Sequence, residues 1–149
     1  MKEKRIFQMQ EQIARYYERK LRTGPVIGNA EDVAAWAAAT FGSSRVEEMW
    51  AVGLDGRNRI FTRKQVSFGT KDRTMCFPRE IVRWALLEDA VGVILLHNHP
   101  SGNLRHSDAD LQMNRQVQEA LKLLDIRLLD NLIVTAEGKY YSFQQSGLL

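Results

Sequence analysis

Apolar residues recur in two rhythms along this chain, one of three to four residues and one of two, and the places where the rhythm changes mark its elements. Residues 3 to 21 set Ile6, Met9, Ile13, Tyr16, Tyr17 and Leu21 among charged residues, which predicts an amphipathic helix ended by Thr23-Gly24-Pro25. Its stripe is short for a coiled coil, so packing on the domain is the expected use, with a dimer or partner contact as the alternative. A second helix is expected from Asn29 as N-cap, with Glu31 and Asp32 favourably placed in its first turn, running through Val33, Trp36 and Ala37 toward Phe41-Gly42.

The period then shortens. Glu47 to Leu54 reads as a strand, Asp55-Gly56-Arg57-Asn58 as a turn and Arg59 to Phe68 as the returning strand of a hairpin. Pro78 suits the first turn of a helix that carries Ile81, Val82, Ala85 and Leu86 and ends near Asp89, before an apolar strand at 91 to 97. Ser107 is the expected N-cap of a helix with Leu111, Asn114, Val117, Leu121 and Leu124 on one face, which puts Asp110 in its first turn. Leu128 to Thr135 reads as a strand, Ala136 to Lys139 as a turn, Tyr140 to Phe143 as a last strand and Gln144 to Leu149 as a short tail. Strands and helices mixed in this order, with no internal repeat or linker, predict an α/β or α+β domain whose helices flank a central sheet.

Composition narrows this picture. With 149 residues, 44% of them hydrophobic, one core can form without disulfides, and the single Cys76 has no internal partner and is expected to be a small buried residue. No stretch approaches the roughly 18 consecutive apolar residues of a membrane span, and the first residues have no signal-peptide core, so a soluble cytoplasmic protein is expected. The net charge is only +3, but residues 1 to 23 carry seven Lys or Arg against three acids and residues 56 to 83 carry eight against two. A solvated basic surface is the expected reading, with nucleic acid held by Arg57, Arg59, Arg63 and Lys64 as the alternative.

The densest chemistry lies in His97-Asn98-His99-Pro100-Ser101-Gly102 and the following Ser107 and Asp110. Histidines at i and i+2 at the end of a strand face one side, so both imidazoles can meet the same metal. Asp110 follows eleven residues after His99, across Pro100, Gly102 and Asn103, which can turn the chain back and bring in a third ligand. Two imidazole nitrogens and one carboxylate oxygen suit zinc with a fourth position open to water, whose pKa zinc lowers toward about 7.

His-x-His, seven residues, Ser, two residues, Asp is the spacing of His97, His99, Ser107 and Asp110, and it resembles the JAMM pattern of zinc hydrolases. The longer string HNHPSG, with Pro78-Arg79-Glu80 before it and Asp130-Asn131-Leu132-Ile133 after it, resembles the RadC branch of the JAB/MPN superfamily over residues from about 40 to 145. That resemblance implies a cytidine-deaminase-like fold with a central mixed sheet and one zinc per chain held by His97, His99 and Asp110; with the helix expected from the apolar spacing, the chain divides into an N-terminal helix at 1–23 and a JAB/MPN domain at 24–149. The resemblance also implies a glutamate on an early strand as general base, for which Glu47 is the better match and Glu48 the competitor. Neighbours on a strand face opposite sides, so only one of the two can point at the metal. Ser107 is implied to help stabilise an oxyanion besides capping its helix.

Other residues near the motif carry open alternatives. Asp130 is a candidate hydrogen-bond partner of a ligating histidine or a turn residue, Arg79 and Glu80 form an ion pair or line a cleft, and His106 is expected as an exposed loop histidine without a role. Two departures from RadC proteins stand out: the helix-hairpin-helix signature is missing from the forty residues before the first strand, and Asp130-Asn131 replaces the common Asp-His. The implied activity is a zinc-dependent metallohydrolase that cleaves a peptide or isopeptide amide bond through a zinc-bound water activated by Glu47. Its alternatives are a DNA-associated repair or recombination accessory protein and a non-catalytic zinc-binding interaction domain, with a homodimer through the N-terminal helix compatible with each.

Overall fold

The unbroken apolar run after Val91 becomes the central strand of the sheet, because a strand covered on both faces has no polar side to present. In a computed structural model, residues 2–23, 29–68 and 76–149 are described, with side chains at all of these except 17–23 and 68. Helices α1 (Lys2–Thr23) and α2 (Ala30–Ala37) come first, and α2 passes into a π-helical turn at Ala38–Gly42. The hairpin strands β1 (Glu48–Leu54) and β2 (Ile60–Phe68), α3 (Pro78–Leu87), β3 (Gly92–Asn98), α4 (Asp108–Lys122), β4 (Arg127–Val134) and β5 (Tyr140–Ser142) complete the order.

The five strands lie in the order β2-β1-β3-β4-β5. Only β3 and β4 are parallel, with α4 as the crossover that a parallel pair requires, and the other pairs are antiparallel. Side-chain alternation sorts the strands into two cores. Val52, Leu54, Ile94, Leu96, Leu132 and Val134 pack with Val33 and Trp36 of α2, while Ala51, Val93 and Leu95 pack with Ile81 and Ala85 of α3 and Val117 and Leu121 of α4. Every residue of β3 is buried. His97 sits opposite Met49 on the α3/α4 side, and Asn98, one residue on, points to the other.

The expected mixed α/β architecture is the observed one, and its departures are local. The second helix widens at 38–42, where the Thr40 hydroxyl donates to Trp36 O at 2.8 Å and so competes with the helical ladder. Gly42 ends this turn against β4, where a Cβ would stand 2.9 Å from Thr135 O. β1 starts at Glu48 rather than Glu47, and β5 stops at Ser142, whose hydroxyl accepts from Gln145 N as the chain turns. The helix at 2–23 forms and lies against α2, but the part of its apolar stripe at 6–16 does not face the domain as expected. Ile6, Phe7, Met9, Ile13 and Tyr16 are 40–67% exposed, and the half-buried side is Gln10 and Ala14, with Gln10 Nε2 donating to Ser43 Oγ. Gly24 and Pro25 lie outside the described residues. No helix among the described residues is long and apolar enough to cross a membrane.

Candidate metal centre

Four side chains meet where β3 ends and β1 begins. Glu47, His97, His99 and Asp110 each offer one ligand atom, and these atoms all lie within 4.8 Å of one another. His97 is the last β3 residue on the α3/α4 side and is wholly buried, while His99 lies just past the strand. Glu47 precedes Met49 by two, so it shares the side of Met49 and His97. Glu48 faces the other way, and its Oε2 accepts from Trp50 Nε1 at 3.1 Å. Of the two adjacent acids, Glu47 is the one beside the histidines.

Asp110 arrives from α4 by a capping box. Ser107 Oγ accepts from Asp110 N at 3.0 Å, and Asp110 Oδ2 accepts from Ser107 N at 2.7 Å, which satisfies two otherwise unpaired amides at the helix start. The same lock aims the carboxylate. Asp110 Oδ1 stands 3.4 Å from His97 Nε2, and Oδ2 stands 3.3 Å from His99 Nε2. The loop between them serves His99. Gly102, at φ 76, makes a turn closed by its N–H to His99 O at 2.8 Å, and Asn103 O then lies 2.8 Å from His99 Nδ1. A carbonyl can only accept, so His99 carries a proton on Nδ1, and its Nε2 points into the cluster.

Electrostatics within the cluster favour positive charge. Burial alone would raise the Asp110 carboxyl, but the imidazoles of His97 and His99 beside it hold it well below the usual carboxylate range. Burial would lower His99, yet Asp110, Asn103 O and the charge of Glu47 outweigh it and raise the imidazole above its ordinary value. The cluster thus takes up positive charge where it can. His97 Nδ1 and Nε2 are both buried without a hydrogen-bond partner among the described residues, a state that costs about 1–3 kcal/mol per group. A divalent ion among two imidazoles and two carboxylates would satisfy Nε2 and replace the proton, so the donor set fits a metal.

The remaining candidates lie elsewhere. Asp130 is not a partner of either histidine: Ser142 Oγ donates to its Oδ2 at 2.6 Å, and Asn131 N and Gln144 N donate to Oδ1 at 2.7 and 3.0 Å. It pairs with Ile94 on the α2 side of the sheet, away from His97, and fastens β4 to the end of β5. His106 is half-buried rather than exposed, its ring 5.7 Å from that of Tyr141 and 5.6 Å from that of Phe143. Arg79 Nε lies 3.6 Å from Glu80 Oε1 on the surface. Cys76 is partly buried, and burial, with Glu80 beside it, pushes its thiol up to about 12. Arg57, Arg59, Arg63 and Lys64 are all exposed, with the Arg63 guanidinium 5.4 Å over the Trp36 ring. Arg57 and Arg59 follow Leu54, which pairs with Gly92 at the far end of β3 from His97.

A RadC-like JAB domain model matches residues 27–148. The chain is similar to a UPF0758 protein of Aromatoleum aromaticum, 43% identical over 114 residues that make up 76% of this chain and 51% of that protein. A UPF0758 protein of Stenotrophomonas maltophilia is 38% identical over 136 residues, 91% of this chain and 58% of that protein. One of Pasteurella multocida is 35% identical over 135 residues, 91% of this chain and 60% of that protein. The matched region thus spans between half and two thirds of the length of these relatives.

Proposed function

The chain belongs to the RadC-like JAB domain family, and from that membership and the convergence of Glu47, His97, His99 and Asp110 we propose that it is a zinc-dependent metallohydrolase acting on a peptide or isopeptide amide bond. The observation that carries the reading is the position of Glu47. We take two histidines and Asp110 as the three protein ligands of an open site, as the family's pattern implies, with Glu47 in the same cluster as the acid beside them; a structural site would instead use all four as ligands. Zinc held there would supply Lewis acidity and a water acidic enough to ionise near neutral pH.

The chain's own groups do the rest. Glu47 takes a proton from the attacking water and passes it to the departing amine nitrogen, so that hydroxyl joins the carbonyl carbon as the C–N bond breaks. Ser107 Oγ accepts from Asp110 N, which leaves its O–H free to donate to the oxygen that gains charge. Asp110 stays ionised, and Asn103 O keeps the His99 ring in one tautomer. Of the four basic residues of the nucleic-acid reading, Arg57 and Arg59 lie at the other end of the sheet and Arg63 and Lys64 along the edge strand β2, so that reading makes no use of this cluster.

Glu47→Gln should leave zinc bound and lower hydrolysis of a responsive peptide or isopeptide substrate roughly a hundred- to ten-thousand-fold, the usual weight of a general base. His99→Ala should lose metal and turnover together. Zinc content and rates measured side by side decide it, and undiminished turnover in Glu47→Gln would remove Glu47 from the chemistry.

A further inference from the structure

Glu47 stands outside the sheet ladder, in the irregular segment that follows the π-helical turn. The β1–β3 register pairs Met49 with His97, and continued by one residue it would set Glu48 against Asn98. There the side chain of Asn98 carries the bonds to the incoming segment. Its Oδ1 accepts from Glu48 N at 2.7 Å, and its Nδ2 donates to Val46 O at 3.1 Å and Ser44 O at 3.3 Å. Asn98 is wholly buried, so these bonds have no competition from bulk water.

We infer that Asn98 is a positioning residue that holds the Glu47 carboxylate in register with the metal ligands. Three features point to it. Its partners bracket Glu47 on both sides, at 44, 46 and 48. Two carbonyls and one N–H call for a side chain with two donors and one acceptor of this length, which an amide provides and a carboxylate of the same shape does not. Alternation along the strand puts Asn98 between His97 and His99 but aims it at the opposite side, so one three-residue stretch carries both imidazoles and the tie to the acid. The inference deepens the hydrolase reading and rests on it for the use made of Glu47, but the tie itself can be measured without turnover.

The test uses nuclear magnetic resonance on the full chain, with Co2+ alone as a paramagnetic probe. In the wild-type protein the Asn98 side-chain amide protons and the Glu48 amide should exchange slowly, and bound Co2+ should broaden the Glu47 carboxyl carbon. In Asn98→Asp, and in Asn98→Ala should the isostere fold poorly, Glu48 exchange should rise about tenfold and the Co2+ broadening at Glu47 should weaken several-fold. Exchange at Leu95 and Leu96, in the middle of β3, should stay unchanged as the control for folding. On any amide substrate whose turnover Glu47→Gln abolishes, kcat should fall about a hundredfold with KM little altered, the cost of misplacing a catalytic group by an ångström or so. Freely exchanging Asn98 amide protons in the wild type, or an unmoved Glu47 in both variants, would overturn the inference. A wild-type chain that takes up no Co2+ would instead contradict the metal reading, while Glu48 exchange would still decide whether Asn98 makes the tie.

Discussion

His99 shows how much of the centre depends on single atoms. Its Nδ1 faces Asn103 O and its Nε2 faces Asp110, so the metal-free ring gains by holding a second proton, and its pKa is raised despite burial. A metal bound as proposed would therefore compete with a proton for Nε2, and the competition would set in at a higher pH than for an ordinary histidine near 6.5. The sign follows directly: zinc affinity should rise with pH through the raised His99 pKa, and uptake below it should release a proton. Calorimetric titration in buffers of different ionisation enthalpy measures that release. The gathering of His97, His99 and Asp110 was legible because their spacing is written in the order of side chains. Asn103 was not, because its contribution is a backbone carbonyl, which no residue type announces. Asp130 stayed open between two readings for a related reason. A carboxylate at a strand start looks the same in sequence whichever side of the sheet it takes, and the β3–β4 register sends it away from His97.

At the scale of elements, helix α4 and the loop before it act as the mount for Asp110. Ser107 was readable as the cap because a serine three residues before an acid, ahead of an apolar face, gives the N–H groups of a first turn their partners. Ser107→Ala should cost about 1 kcal/mol of stability, seen as a lower Tm, yet keep zinc, because the Ser107 backbone N–H still holds Asp110 Oδ2. If its hydroxyl also serves the oxyanion, kcat should fall roughly a hundredfold in the same variant. The start of β1 was placed one residue early because alternation fits Glu47 as well as Glu48. What ends the strand there is the Asn98 amide, which takes Glu48 N and Val46 O. Asn98 was the one polar letter between two ligands, and a buried amide must find partners, but nothing in the sequence says that they lie fifty residues upstream.

Over the whole molecule, a sheet covered on both sides brings residues from opposite halves of the chain to one end, with the basic hairpin turn at the other. Period and turn residues were enough to lay out that architecture. They did not reveal which side of α1 meets the domain, since a stripe of apolar residues predicts burial without naming what buries it. Ile13→Gln should therefore change stability by less than about 0.5 kcal/mol, whereas Leu96→Ala in the core should cost about 2–5 kcal/mol, and denaturant unfolding compares the two. The four converging side chains are proposed to form an open zinc site with Glu47 as the acid beside it. Native mass spectrometry of protein loaded with zinc and then dialysed tests this most directly. One zinc per chain in the wild type and in Glu47→Gln, and none in His99→Ala or Asp110→Ala, is the predicted result. No zinc in the wild type, or equal retention in all four proteins, would contradict it.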